Sequence, residues 1–72
     1  MKAYFYNSNE PIEQYDIVLG KETDENVGIT HNKAYVVRAC SGEDLIVVEN
    51  DFGELDHFST EYFKKDNGEC ME

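Results

Sequence analysis

The stretch Leu45–Glu54, LIVVENDFGE, decides the fold class of this chain. Its first half, Leu45–Glu49, is a short apolar run rich in β-branched residues, which favours a strand over a helix. Asn50–Gly53 then supplies the residue types of a tight turn, because Asn and Asp tolerate left-handed backbone and Gly adopts it freely. A strand followed at once by such a turn predicts a β-hairpin, with Gly53 at positive φ.

The segments on either side extend this hairpin into a sheet. Glu54–Phe58 alternates polar and apolar residues, as a strand with one solvent-exposed face does. Ala34–Cys40 predicts the strand before the hairpin, and Ser41–Glu43 predicts the turn between them. Tyr15–Leu19 and the aromatic segment Lys2–Tyr6 predict two further strands. The sequence therefore predicts a meander of five short strands.

The segments between these strands have the composition of loops. Asn7–Glu13 is rich in turn residues, and Lys21–Asn32 is a long polar stretch. Within the second of these, Val27 and Ile29 are predicted to fasten the loop to the core. Ser59–Tyr62 opens with hydroxyl residues that favour helix N-caps, so it predicts a single helical turn.

The chain has material for one domain. A length of 72 residues supports a single core, and an apolar fraction of 40% is typical of a globular protein. Closing the meander into a small barrel removes the strand edges that promote aggregation. We predict an all-β fold in one domain over residues 1–72. Its barrel occupies about 15–64 with Phe63 as the last core residue, preceded by an N-terminal strand and loop over 1–14 and followed by a flexible acidic tail over 65–72.

The charge balance excludes several classes of partner. Sixteen Asp and Glu against six Lys and Arg give a formal net charge of −10. Such a surface is repelled by nucleic-acid phosphates and by anionic lipids. No apolar run approaches the ~20 residues of a membrane helix, and the first residues lack the apolar core of a signal peptide. We expect a cytoplasmic protein that binds neither nucleic acid nor membrane.

Three stretches in a fixed order carry a resemblance to a known group of proteins. They are GITxxKAYVV at Gly28–Val37, the stretch Leu45–Glu54, and the closing aromatics Phe58, Tyr62 and Phe63. Together they resemble the small SH3-like β-barrel proteins encoded by Gram-positive bacteria and their phages. The resemblance covers roughly residues 15–64, and its motifs are of low specificity because they consist of a turn, a strand and core aromatics.

The resemblance implies both a fold and a kind of function. In an SH3-like barrel, Lys21–Asn32 corresponds to the RT loop, Ser41–Asp44 to the n-Src loop and Asn50–Gly53 to the distal hairpin. The chain departs from peptide-binding SH3 domains, because it contains no Trp to line a polyproline groove. Proteins of this group are often accessory proteins that act on host machinery or host defence. This implication rests on fold-level analogy.

The candidate binding residues surround the predicted hairpin turn. Phe52 is an apolar aromatic in a turn, where it contributes little to folding but suits an interface anchor. The carboxylates predicted to accompany it in partner docking are Asp51, Glu54, Asp56, Asp24 and Glu25. Repulsion among like charges makes a net charge of −10 costly for so small a core. This cost favours a role for the acidic surface in binding over a role in solubility alone.

These features predict a binding protein and not an enzyme. The predicted partner is a protein with a basic surface, on which the chain docks as an inhibitor or adaptor. DNA mimicry is one form of this function, because a domain about 30 Å across has 16 carboxylates against roughly 17 charges on duplex DNA of that length. The alternative is a structural or assembly module that self-associates through strand edges, with Lys2–Tyr6 as the pairing segment. The chain is predicted to be a monomer or a homodimer.

No motif for catalysis or for a cofactor is present, so we expect neither. Glu22, Asp24 and Glu25 leave open a weak divalent-ion site, although a solvated acidic loop accounts for them better. Four possible soft ligands lack zinc-site spacing, and these are His31, His57, Cys40 and Cys70. Cys40 and His57 are the one conceivable nucleophile and base, without an oxyanion donor nearby. Both cysteines are predicted to be free thiols.

Overall fold

The computed structural model describes residues 2–66, and in this range the chain is mostly β-strand without an α-helix. The strands are β1 (Ala3–Tyr4), β2 (Pro11–Ile12), β3 (Ile17–Gly20), β4 (Ala34–Gly42), β5 (Leu45–Glu49), β6 (Leu55–Ser59) and β7 (Phe63–Lys65). One turn of 3-10 helix, Thr60–Tyr62, connects β6 to β7. None of the helical structure among these residues is long and apolar enough to cross a membrane.

Five of the strands form one antiparallel sheet in the order β6-β5-β4-β3-β7, and β1 and β2 form a separate two-stranded sheet. The long strand β4 belongs to both halves of the larger sheet. Its residues 34–36 pair with β3, and its residues 37–42 pair with β5. Register irregularities follow Val37 and Cys40, and such bulges bend a strand. The bend in β4 therefore separates a β7-β3-β4 half from a β4-β5-β6 half.

The core lies on one face of this sheet. Its buried apolar side chains are Ala3, Ile12, Val18, Ile29, Tyr35, Val37, Ile46, Val48, Phe58 and Phe63. The rings of Tyr35 and Phe58 both meet Phe63 edge-on, with centroids 5.9 and 5.8 Å apart, a favourable aromatic geometry. Phe58 and Phe63, two of the predicted core aromatics, are buried together with Tyr35. Tyr62, also predicted there, is half-buried against Phe58.

The all-β prediction is confirmed, but the fifth strand was assigned to the wrong segment. The N-terminal segment pairs with β2, inside the predicted loop Asn7–Glu13, and the two place Ala3 and Ile12 in the core. The fifth strand of the larger sheet is β7, which pairs with β3. The predicted tail therefore begins too early at residue 65, and its remainder over 67–72 lies outside the described residues.

Local signals placed the turns well, with one exception. Ser59 caps the 3-10 turn, where its hydroxyl accepts a hydrogen bond from the Glu61 N–H, as predicted. Gly53 has φ of 79°, also as predicted. The turn between β4 and β5 lies at Glu43 and Asp44 instead of Ser41–Glu43, because β4 continues to Gly42 through its second bulge.

Candidate docking site

The predicted anchor Phe52 lies in a turn that is fixed by Asn50. The Asn50 side-chain oxygen accepts hydrogen bonds from the backbone N–H groups of Phe52 and Glu54, at 3.0 and 3.1 Å. Backbone bonds close the same turn, from Asn50 to Glu54 and from Gly53 to Asn50. Asn50 is itself 6% exposed, so this turn is organised by a buried polar side chain. Phe52, by contrast, is 60% exposed.

The long loop over residues 21–33 packs against this turn. At Gly28 the backbone has φ of 79°, and its carbonyl accepts a 2.7 Å hydrogen bond from the Asp51 N–H. A Cβ at this glycine would stand 3.2 Å from Asn50 Cβ, Asp51 N and Phe52 Cδ2. The absence of a side chain at Gly28 therefore allows the loop to reach the hairpin. Ile29, 1% exposed, fastens the loop to the core as predicted.

The Asp51 carboxylate holds the loop and the hairpin together. It accepts hydrogen bonds from the Thr30 hydroxyl at 2.7 Å, from Lys33 Nζ at 2.6 Å and from the Tyr35 hydroxyl at 3.0 Å. The bonds donated by Lys33 and Thr30 lower the pKa of Asp51 below its ordinary value. In the same network, partial burial raises the pKa of Tyr35.

Removing this carboxylate is expected to destabilise the fold in a pH-dependent way. Asp51→Ala leaves the half-buried Tyr35 hydroxyl without its acceptor, and we expect a loss of about 2 kcal/mol in the free energy of unfolding at neutral pH. Because folding lowers the pKa of Asp51, its stabilisation is complete above the unfolded value of about 3.9 and is lost as pH falls through the folded value.

Urea denaturation of both proteins at neutral pH and near pH 3 measures this difference. The difference between the two free energies should narrow in acid, as the pH falls through the lowered pKa of the wild-type carboxylate. Glu54→Ala is the matched control, since Glu54 is an exposed carboxylate next to the same turn, and it should match wild type at both pH values. A difference that persists unchanged in acid would contradict this account of Asp51.

The six predicted docking residues divide into two groups. All six are exposed except Asp24, which is half-buried, and Phe52, Glu25 and Glu54 have no salt-bridge partner among residues 2–66. The other three carboxylates make hydrogen bonds within the fold. Asp24 accepts from the Asn26 N–H, Asp51 joins the loop to the hairpin, and Asp56 accepts from the His57 N–H. Sequence reasoning missed Asn50 and Gly28, although the spacing of Asn50 before Gly53 is a recognisable signal for a side chain that caps a turn.

Most of the chain's few cations are already engaged. Lys33 pairs with Asp51, Arg38 with Glu49 and Lys65 with Glu10. Lys21 lies over the ring of Tyr6, with Nζ 5.7 Å from the centroid. The exposed carboxylates Glu25 and Glu54 have no salt-bridge partner within residues 2–66. Neither carboxylate is therefore neutralised by an ion pair within that range, and Glu54 lies two residues from Phe52.

A second acidic region lies at the other end of the same loop. A pocket of about 360 Å³ is lined by the carboxylates of Glu22, Asp24 and Glu61 together with Tyr6, Tyr62, Lys21 and Thr23. Carboxylates beside two tyrosine rings offer both charge and a π-face to a cation. Glu25 directly follows Asp24, so the acidic residues of the loop lie together at its start, over residues 22–25.

The structure also bears on the metal ligands and on the Cys40–His57 pair that the sequence left open. No group of three His, Cys, Asp or Glu within residues 2–66 is placed to hold a metal ion, which includes the acidic loop. Cys40 packs against the core beside Ile46, and its Sγ contacts the Ile12 carbonyl oxygen at 3.4 Å as a free thiol. His57 precedes the buried Phe58 on β6, so it points to the opposite face of the sheet from Cys40. Cys70 lies outside the described residues.

No family model, curated protein or solved structure matches this chain.

Proposed function

We propose that this protein is a small acidic binding domain that docks on a basic surface of a partner protein, as an inhibitor or adaptor. The observation that carries the proposal is Phe52, 60% exposed at a turn that Asn50 and the neighbouring loop hold in one conformation. An aromatic presented by an ordered turn loses little conformational freedom on binding, which favours its use as an anchor.

Charge supports the basic character of the partner. Glu25 and Glu54 are exposed and outside any described salt bridge, and the acidic pocket continues the same loop. A net charge of −10 attracts a basic surface over distances set by the Debye length, about 8 Å at physiological salt. Carboxylates around an apolar anchor thus combine fast encounter with slow release.

We further propose that the five-stranded sheet closes as an SH3-like barrel. Three observations support this closure. The strand β4 is shared between two halves of the sheet, and a 3-10 turn connects the last two strands. The last strand, β7, pairs with β3 and forms the edge opposite β6. In this arrangement the loop over 21–33 corresponds to the RT loop and the Asn50–Gly53 turn to the distal hairpin. The same resemblance suggests a phage- or prophage-type accessory protein.

DNA mimicry is a specific form of the proposal. The longest dimension of the molecule is 31 Å, and duplex DNA of that length carries roughly 18 phosphate charges. The chain has 16 carboxylates, but Glu10, Glu49 and Asp51 are in ion pairs. If the captured partner is released by duplex DNA in competition, the mimicry form is supported.

Self-association through strand edges is the less favoured alternative. The strand β6 is one edge of the larger sheet. The Asp56 carboxylate accepts a 2.8 Å hydrogen bond from the His57 N–H on this strand, so that donor is already occupied. An edge that carries a carboxylate resists pairing with a second acidic chain.

The test of docking is a comparison between two baits. Wild type and Phe52→Ala are used in parallel to capture partners from a bacterial lysate, and the protein enriched by wild type is then purified for kinetics. We expect Phe52→Ala to raise the dissociation rate constant at least about tenfold and to leave the association rate constant nearly unchanged. Tyr6→Ala is the matched control, since Tyr6 is 55% exposed but belongs to the pocket and not to the hairpin.

The proposal fails for the hairpin if Phe52→Ala releases the partner no faster than wild type does. If instead Tyr6→Ala has the larger effect, the acidic pocket and not the hairpin is the anchor. Circular dichroism of each variant verifies that the change acts on binding and not on folding.

A further inference from the structure

The outer face of the sheet, opposite the core, carries an apolar row. Ile17 and Val36 are cross-strand neighbours on β3 and β4, and they are 42% and 41% exposed. The β4–β5 register places Glu49 of β5 opposite Val36. Leu55 on β6, which is 57% exposed, pairs with Glu49 in turn. These side chains alternate with buried ones along their strands, so they share the face that points away from the core.

A strained residue adds the most exposed ring to this face. Tyr15 is 69% exposed, and its φ is 74°. The other non-glycine residues at positive φ within residues 2–66 are Asn7 and Asn32, of a type that tolerates this conformation. Tyrosine does not tolerate this conformation as asparagine does. No ring contact among the described residues involves the Tyr15 side chain. A bulky residue kept at such a position points to a use for the ring outside the fold.

Charges on the outer face are balanced, unlike those of the chain as a whole. Arg38 and Glu49 form an ion pair across β4 and β5, with 3.8 Å between nitrogen and oxygen. A groove of about 420 Å³ is lined by this pair together with Tyr15, Val36, Lys33, Ala34, Tyr35 and Asn50. On β7, Lys64 pairs with Leu19 and adds a further positive charge to the same face. By the same register Asp66 lies beside Ile17 and adds a negative charge, so in a protein of net charge −10 this face is close to neutral.

We propose that the outer face binds a second copy of this chain and forms a symmetric dimer. Two molecules of charge −10 repel each other least where their surfaces carry balanced charge, and the apolar row supplies the contact. The ion pair is also self-complementary. A two-fold axis in the interface, perpendicular to the line between Arg38 and Glu49, brings each Arg38 to the Glu49 of the other copy.

The available area makes this dimer weak. The two longer dimensions of the molecule, 31 and 26 Å, limit any one face to about 800 Å², which is the contribution of each partner to an interface of standard size. A bent sheet uses only part of that area, so we expect a dissociation constant in the micromolar range or above. This dimer does not depend on docking through Phe52, so a negative result for one proposal leaves the other unaffected.

The experiment is sedimentation equilibrium of the full chain from micromolar to millimolar concentration. We expect a reversible monomer–dimer equilibrium that strengthens with added salt, because salt screens the repulsion between two acidic molecules. Tyr15→Asn should weaken the dimer at least about tenfold. Since Asn accepts left-handed backbone, the variant monomer should be at least as stable as wild type. Tyr6→Asn is the control and should leave dimerisation unchanged.

Charge reversal supplies a second, independent readout. Arg38→Glu places like charges across the axis and should weaken the dimer, and adding Glu49→Arg should restore it. A chain that stays monomeric at millimolar concentration overturns the proposal. So does a dimer that is indifferent to Tyr15→Asn and Arg38→Glu, which would indicate strand-edge pairing. Capture of a foreign protein that Tyr15→Asn abolishes, with the chain itself monomeric, would assign the face to that partner instead.

Discussion

Gly20→Ala is expected to lose at least about 3 kcal/mol in the free energy of unfolding, more than any other substitution considered for this chain. Gly20 ends β3 and is buried, and its N–H and carbonyl bond to Lys33 and Asn32 at the far end of the loop. A Cβ there would overlap the backbone carbonyl of Thr30 and crowd Ile29 Cγ2 at 3.1 Å. The Thr30 backbone cannot yield as a flexible side chain would.

The consequence extends to the docking site. A chain of this length has a total stability on the order of 5 kcal/mol, so a loss of this size populates the unfolded state visibly. Even in the folded fraction, movement of Thr30 would disturb its hydrogen bond to Asp51, which ties the loop to the hairpin. Gly20→Ala should therefore weaken binding as well as stability.

Gly42→Ala is the matched control for this prediction. Gly42 also ends a strand, but the nearest atom to its added Cβ is Leu45 Cβ at 3.7 Å, which is ordinary contact. We expect it to change stability by less than about 1 kcal/mol in urea denaturation. Equal stability of the two variants would show that the loop does not cross β3 as closely as described.

How far the sequence predicts this fold depends on how local each signal is. The strand Leu45–Glu49 and the turn after it were predicted with correct ends, because β-branched residues and an Asn-to-Gly turn act within a few residues. The strand β7 was missed, since three residues show no alternation and their pairing with β3 joins segments far apart in the chain. Likewise the short strand at Pro11 forms only because Ala3 and Ile12 are buried together.

The candidate site was predicted in part for the same reason. The exposure of Phe52 follows from an apolar residue within a tight turn, which is a local signal. Asp51 was grouped with the docking carboxylates, but its partners Tyr35 and Thr30 lie 16 and 21 residues away. Only the folded chain brings that hydroxyl pair to the carboxylate. A count of acidic residues cannot separate carboxylates that stabilise the fold from those that face solvent.

Salt is expected to slow association with a basic partner by one or more orders of magnitude. The Debye length falls from ~10 Å at 0.1 M to ~3 Å at 1 M, so attraction between exposed charges no longer guides the encounter. The dissociation rate should change far less, because it is governed by contacts already formed, such as that of Phe52. Stopped-flow measurement of both rates across salt concentrations separates these effects.

Two variants of equal net charge show whether the position of the carboxylates matters. The first carries Glu54→Gln and Asp56→Asn beside the hairpin and Glu25→Gln in the loop that packs against it. The second carries Glu13→Gln, Glu43→Gln and Asp44→Asn, with the last two in the turn between β4 and β5. Both have a net charge of −10 + 3 = −7.

At low salt the hairpin variant should associate about tenfold more slowly than the other, because a charge steers most strongly when it lies beside the contact. At high salt the two should converge with wild type. Equal slowing of both variants would mean that net charge alone attracts the partner. A wild-type association rate that does not change with salt would mean that the acidic surface serves only solubility. Because dimerisation through the outer face is expected to strengthen with salt, the opposite responses also keep the two interactions distinguishable in one titration.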